Sequence, residues 1–215
     1  MCGRFALLTD LSVVTASFDV QEVACEFRTG SNISPGRQVA AVIHDGVNRL
    51  VGLRWGLIPA WARDPSVGKK LFNARAETAA EKPSFRNAFR KGRCLIVADG
   101  FYEWRKEGKA KRPFYFHLKS GRPFGFAGLY ERWMSPEHQP VVTCAIITTE
   151  PNALVEPIHD RMPVILPKER EGVWLDPGNR DVSGLLSLLK PYPPEEMEVS
   201  GAPVAVPDVP GSEER

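Results

Sequence analysis

The chain has almost no net charge, no long apolar run and no paired cysteines. Its 215 residues carry 28 basic and 26 acidic side chains, a formal net charge of +2. Composition therefore does not mark a nucleic-acid binder, and such a function has to rest on where the arginines sit. No apolar run approaches the roughly 20 residues that a spanning helix needs. The opening MCGRFALLTDLSVV lacks the apolar core and small-residue cleavage site of a signal peptide. Cys2, Cys25, Cys94 and Cys144 are scattered, with no C-x-x-C and no nearby histidine pair, so neither a zinc-finger site nor any other metal is expected. A reducing, cytoplasmic setting with free thiols is the expectation, at the nucleoid when DNA is the partner. No repeat at a fixed period is visible, which excludes a solenoid or propeller.

With 43% hydrophobic and 25% charged residues, the chain reads as an ordinary globular protein, long enough to bury a core. Helical periodicity appears in DLSVVTASFDV, PSFRNAFRKG, PKEREGVWL and DVSGLLSLLK. Strand-like runs are more numerous: QVAAVIH, RLVGLRWG, RCLIVADGFYEW, PFYFHLKS, PFGFAGLYERW, PVVTCAIITTE and MPVIL. Several follow one another without an intervening helix, which favours antiparallel pairing. The expectation is an α+β fold in a single domain over residues 1–195. The tail, 196–215, is rich in proline, glycine and acid, and is expected to be partly disordered.

Four segments carry groups capable of chemistry. In MCGRF, removal of Met1 would leave Cys2 with a free α-amine and a thiol on adjacent carbons; the plainer reading is a tolerated residue at a frayed terminus. LFNARAETAA puts Asn73, Arg75 and Glu77 at alternating positions, on one face if extended and otherwise along a solvated polar edge. In ADGFYEW, Asp99 and Gly100 mark a turn, Tyr102 and Trp104 share one face, and Phe101, Glu103 and Arg105 the other. A glutamate among aromatics invites a raised pKa, or pairs across strands with an arginine. EPIHDRMPVIL sets His159, Asp160 and Arg161 before an apolar strand, where a lone histidine is more often structural. This inventory suits a cysteine hydrolase in which His159 activates Cys2, and equally suits attack on an aldehyde. Trp55 and Trp61 flank a turn proline in RWGLIPAW, beside Arg54 and Arg63, and Asn32 and Pro35 lie in SNISPG. Exposed tryptophans next to arginines fit a single strand of nucleic acid, whereas buried ones would be core.

The ordered set MCGRF, NISPG, RWGLIPAW, NARAET, RCLIVADGFYEW, AGLY and IHDRMPVIL resembles the SRAP family, the SOS response associated peptidases, from residue 2 to about residue 190. The resemblance implies a compact α+β domain with a barrel-like antiparallel core, no cofactor, and abasic sites in single-stranded DNA as the partner. It implies covalent linkage through the N-terminal cysteine as part of a DNA-damage response, and peptidase activity on the chain's own leading residues. No part of it demands more than a monomer. Carried over residue by residue, Cys2 is the nucleophile, Asn73 orients it and the opened sugar, Glu103 assists Schiff-base formation and His159 moves protons on the sugar. Arg4, Arg75 and Arg161 meet the DNA backbone, Pro35 and Trp61 pack against bases, and Thr148 supplies a hydroxyl; Asn32 and Trp55 are expected at the DNA from the reading of SNISPG and RWGLIPAW. Two departures stand out. Ala62 occupies the place of a frequent second tryptophan, and Val199–Ser200 run into GAPVAVPDVPG where the family continues into an asparagine-bearing stretch, which leaves the last strand open.

Overall fold

The computed structural model describes residues 2–108 and 110–201. Along the chain the strands are β1 (Phe5–Leu7), β2 (Glu22–Val23), β3 (Gly30–Ile33), β4 (Gln38–His44), β5 (Asn48–Trp55), β6 (Asn73–Arg75), β7 (Arg93–Ala98), β8 (Gly100–Glu107), β9 (Ala110–Leu118), β10 (Phe124–Met134), β11 (Pro140–Thr149), β12 (Met162–Pro163) and β13 (Met197–Gly201). The helices are α1 (Leu11–Ser17), α2 (Arg86–Lys91), α3 (Lys168–Leu175) and α4 (Val182–Ser187), each inside one of the four segments with helical periodicity.

The strands form two sheets. One has the order β13-β9-β8-β1-β3, and the other β12-β11-β10-β7-β4-β5-β2 with β6 added on β11. In the second, β11 also pairs with β5, Thr143 opposite Arg54 and Cys144 opposite Trp55, so that β11, β10, β7, β4 and β5 close into a barrel. The expected barrel core is therefore present. Its closing seam is parallel, as are the pairings of β6 with β11 and of β2 with β5.

Strand β7 shows why a continuous apolar run folds centrally. Every residue of RCLIVA is buried, and its side chains alternate between two cores. Leu95 and Val97 face the core shared with Phe89, Trp174 and Leu185 of the helices, while Cys94, Ile96 and Ala98 face the barrel interior with Phe5, Trp55 and Phe126. Arg93, at the strand's start, anchors the helical layer. Its five N–H groups donate to the carbonyls of Phe89, Arg90, Trp174, Asp176 and Asn179. Those acceptors include unpaired last-turn carbonyls of α2 and α3, where a cation is favoured.

Between β7 and β8 the chain bends and changes sheet. The Asp99 carboxylate accepts from the main-chain N–H groups of Leu8 and Thr9 and from the Thr9 hydroxyl, which ties the bend to the end of β1. Gly100 follows because a Cβ there would lie 2.6 Å from the carbonyl oxygen of Phe116. The domain boundary expected at 195 falls short. Strand β13 pairs with β9 from Met197 opposite Leu118 to Gly201 opposite Phe114, and Met197 is buried in the core. The expected disorder of the tail beyond Gly201 lies outside the described residues.

Candidate active site

The N-terminal strand is an inner strand of its sheet. β1 lies between β8 and β3, Phe5 is packed against Trp55 and Phe126, and the N–H of Tyr102 donates to the Arg4 carbonyl. This clamps the first residues in place. The Cys2 side chain is fully buried, with its thiol directed to the Arg4 carbonyl at 3.9 Å. Burial, reinforced by the charge of Glu103, pushes the thiol well above its usual range.

Asn73 reaches Cys2 from the other sheet. Parallel pairing of β6 with β11 sets Asn73 beside Ile146, and Asn73 Nδ2 donates to the Cys2 carbonyl at 2.8 Å. Asn73 Oδ1 is buried and accepts no hydrogen bond among the described residues, a spare acceptor of the kind native interiors seldom leave idle.

Glu103 is 2% exposed, two residues beyond Phe101 on the same face of β8, and burial raises its carboxyl to about 7. His159 follows a helical turn anchored by Asn152. The side-chain oxygen of Asn152 accepts from the N–H groups of Leu154 and Val155, and His159 N–H donates to the Val155 carbonyl. His159 Nε2 lies 3.7 Å from Glu103 Oε2, beyond a hydrogen bond but near enough for one oxygen atom to bond to both. The main-chain N–H of Arg161 donates to His159 Nδ1 at 3.0 Å. Asp160 Oδ1 lies equally close to Nδ1, but that side chain is 89% exposed, so the fixed main-chain donor sets the tautomer and places the proton of the neutral ring on Nε2. Burial also holds the imidazole below its usual range.

The residues assigned to DNA divide sharply. Arg4 Nη1 donates to Asn32 Oδ1 at 3.0 Å. Arg75 is exposed at the end of β6. Arg161 makes a two-pronged ion pair with Glu77 at 2.7 and 2.9 Å and donates to the Thr148 carbonyl. That pairing holds the Glu77 carboxyl below the usual carboxylate range. Sequence spacing gave no sign of it, because the partners are 84 residues apart. Trp61 is 64% exposed, on a turn held by donation from Trp133 Nε1 to the Ala62 carbonyl. Position 62 thus serves through its backbone. Pro35 lines a cavity of about 250 Å³ with Arg54 and Lys69.

One assignment needs correction. Trp55 is 1% exposed, packs on Phe5 and Phe72, and its indole N–H donates to the Phe72 carbonyl. Strand alternation turns it into the barrel, so it offers no face to a base. Thr148 is buried, as Cys2 and Glu103 are, with its hydroxyl turned toward the Ala74 carbonyl and its own carbonyl accepting from Arg161.

This chain matches the family described as SOS response associated peptidase (SRAP) over residues 1–209. The chain belongs to the SRAP family. Among SRAP relatives, the abasic site processing protein YoqW of Bacillus subtilis is 49% identical over 202 residues, covering 92% of this chain and 90% of its own. The abasic site processing protein HMCES of Xenopus tropicalis is 33% identical over 165 residues, which span 66% of this chain and 49% of that larger protein. A crystal structure of a protein from Bacteroides thetaiotaomicron superimposes with a TM-score of 0.85 at 31% identity, covering 93% of this chain and 91% of that one. The four expected members of the SRAP site, Cys2, Asn73, Glu103 and His159, come from four separate stretches of sequence. Cys2 and Asn73 are joined by a hydrogen bond, Glu103 and His159 lie 3.7 Å apart, and the Glu103 charge acts on the Cys2 thiol. Among the described residues, no three His, Cys, Asp or Glu side chains gather as a metal site would, and no helix is long and apolar enough to cross a membrane.

Proposed function

We propose that this chain processes abasic sites in single-stranded DNA by forming a thiazolidine crosslink at Cys2 once Met1 has been removed. The observation that carries the reading is the convergence of a buried Cys2, held by Asn73 at its carbonyl at 2.8 Å, with a buried Glu103 that lies 3.7 Å from His159; burial there favours the protonated thiol and the protonated carboxyl. Such a pair is unsuited to a thiolate hydrolase and suited to chemistry begun by an amine.

An abasic deoxyribose opens to an aldehyde. The α-amine of Cys2, with an ordinary pKa near ~8, is partly neutral at cellular pH and attacks C1′. The resulting carbinolamine loses water as Glu103, half protonated near neutrality, donates to the departing hydroxyl. Cys2 Sγ then adds to the imine carbon while its proton passes to the nitrogen, closing a ring of N, Cα, Cβ, Sγ and C1′. One C–N and one C–S bond form, and one water leaves. His159, with its proton on Nε2, is suited to the ring-opening proton transfer, and Asn73 Oδ1 to accepting from the amine or a sugar hydroxyl. Arg4, Arg75, Pro35 and Trp61 would hold the neighbouring nucleotides. Removal of Met1 by the chain itself, and a lyase step from the imine, belong to the same reading.

The test is a single-stranded oligonucleotide with one abasic site. Protein of the mass expected without Met1 should give a product that survives heat and detergent and whose mass is the sum of protein and oligonucleotide less one water. Cys2→Ala should give none. Cys2→Ser should give an imine trapped by borohydride. A wild-type protein lacking Met1 that forms no stable product would overturn the reading.

A further inference from the structure

The β8–β9 hairpin carries a charge arrangement that folding alone disfavours. Residues 105–112 contain five basic residues and one acidic residue, an excess larger than the net charge of the whole chain. The antiparallel register sets Arg105 directly opposite Arg112 and Lys106 opposite Lys111. Like charges directly across a ladder are destabilising, and an anion that bridges Arg105 and Arg112 would offset that cost.

The face on which the arginines lie tells what that anion is. Phe101, Glu103 and Arg105 alternate onto one face of β8, and the register places Phe116, Phe114 and Arg112 opposite them in turn. The row that begins in the core with Phe101 and Phe116 passes through Glu103 and ends on the guanidinium groups. Both guanidinium groups sit over the ring of Phe114, Arg105 at 5.0 Å and Arg112 at 5.4 Å from its centroid. Phe114 is half-buried and Arg112 exposed. Arg105 lies two strand positions, roughly 7 Å, beyond the carboxyl-bearing residue. Its pairing with Glu107 is a surface ion pair, both side chains about two-fifths exposed, and such pairs yield readily to a stronger anion.

We propose that Arg105 and Arg112, held on the Phe114 ring, form a binding surface for single-stranded DNA, continuous with the Glu103 site, that takes two consecutive phosphates on one side of the abasic nucleotide. The inference rests on the proposed function for its substrate class. The two guanidinium groups, held by their packing on the Phe114 ring, meet consecutive phosphates.

The probe is a fluorescent single-stranded oligonucleotide bearing a tetrahydrofuran analogue, which has no aldehyde and binds without reacting. For Arg105→Gln with Arg112→Gln, affinity should fall about tenfold at 0.15 M salt and the slope of log K against log salt should flatten by about 1.4, two phosphates at ~0.7 each. Arg105→Lys with Arg112→Lys should restore the slope, and trimming nucleotides from only one side of the analogue should abolish the difference between variant and wild type. Thermal unfolding should not fall in the double glutamine variant, because a like-charge opposition has been removed. An unchanged affinity and slope, or an equal dependence on nucleotides of both sides, would overturn the inference. Because this readout needs no covalent chemistry, a wild-type protein that binds the analogue but never crosslinks would refute the proposed function alone.

Discussion

Arg93 and Glu103 are both charged residues in the interior, on consecutive strands, and the structure treats them in opposite ways. Arg93 spends each of its five N–H groups on a main-chain carbonyl, so its charge is neutralised by dipoles and fixed in place. Glu103, ten residues later, sits where burial lifts its carboxyl to about 7, so its charge is changeable at cellular pH. The first arrangement makes a joint between α2, α3 and the sheet. The second leaves a carboxyl whose charge can change. Burial alone distinguishes neither; what matters is whether the surroundings solvate one protonation state fully or leave two states near in energy.

Substitutions should separate the two roles, and the largest effect belongs to the chemistry. Glu103→Gln should slow crosslinking by roughly 10²–10⁴ in single-turnover assays, without loss of fold by circular dichroism. Arg93→Met should do the reverse. It strands carbonyls at two helix ends and should cost roughly 3–4 kcal/mol in urea unfolding, while the folded fraction still crosslinks.

The pH dependence of stability sharpens the same contrast. The folded state raises Glu103 from 4.5 to about 7, and so binds its proton more tightly than the unfolded chain does. Its contribution is therefore most favourable below pH 4.5, declines as pH rises to 7 and is level above, a span of about 3 kcal/mol. Glu171, raised likewise to about 7, adds a decline in the same window. Glu103→Gln should accordingly flatten the wild-type decline by about half. An unchanged profile would mean that Glu103 is better solvated than its burial indicates.

The tryptophans repeat the contrast at smaller scale. Trp61→Ala should weaken single-strand binding by about 1–3 kcal/mol with little change in stability. Smallest is Glu77→Gln, which releases the Arg161 charge and should tighten DNA binding a few-fold at low salt. A loss of binding instead would show that Glu77 positions Arg161 for the phosphate.

The helices and long strands were legible because their patterns are local: 3.6-residue periodicity in DVSGLLSLLK, an unbroken apolar run in RCLIVA. Strands β1, β3 and β6 have only three or four residues, too few to show a period, and exist because distant strands pair with them. MPVIL reads as one strand, but only Met162–Pro163 pair with β11; the chain then passes to β10, where Ile165 bridges Phe126. Trp55 was misread because its neighbour Arg54 faces outward, and alternation sends the next residue in. Cys2, Asn73, Glu103 and His159 were nameable from motifs. Their mutual distances, and the Glu77–Arg161 pair, depend on how the barrel closes.

The inner position of β1 has a consequence in time. A strand at the very start of the chain is held by partners that are made later: β3 early, β8 near residue 100, and through Asn73 a seam on β11 near residue 146. During synthesis from the N-terminus, Cys2 is made long before its pocket, which is completed only when His159 has followed. A nascent or truncated chain thus holds Cys2 without the groups that surround it in the folded protein, and on the proposed function crosslinking would mark a chain that has finished folding.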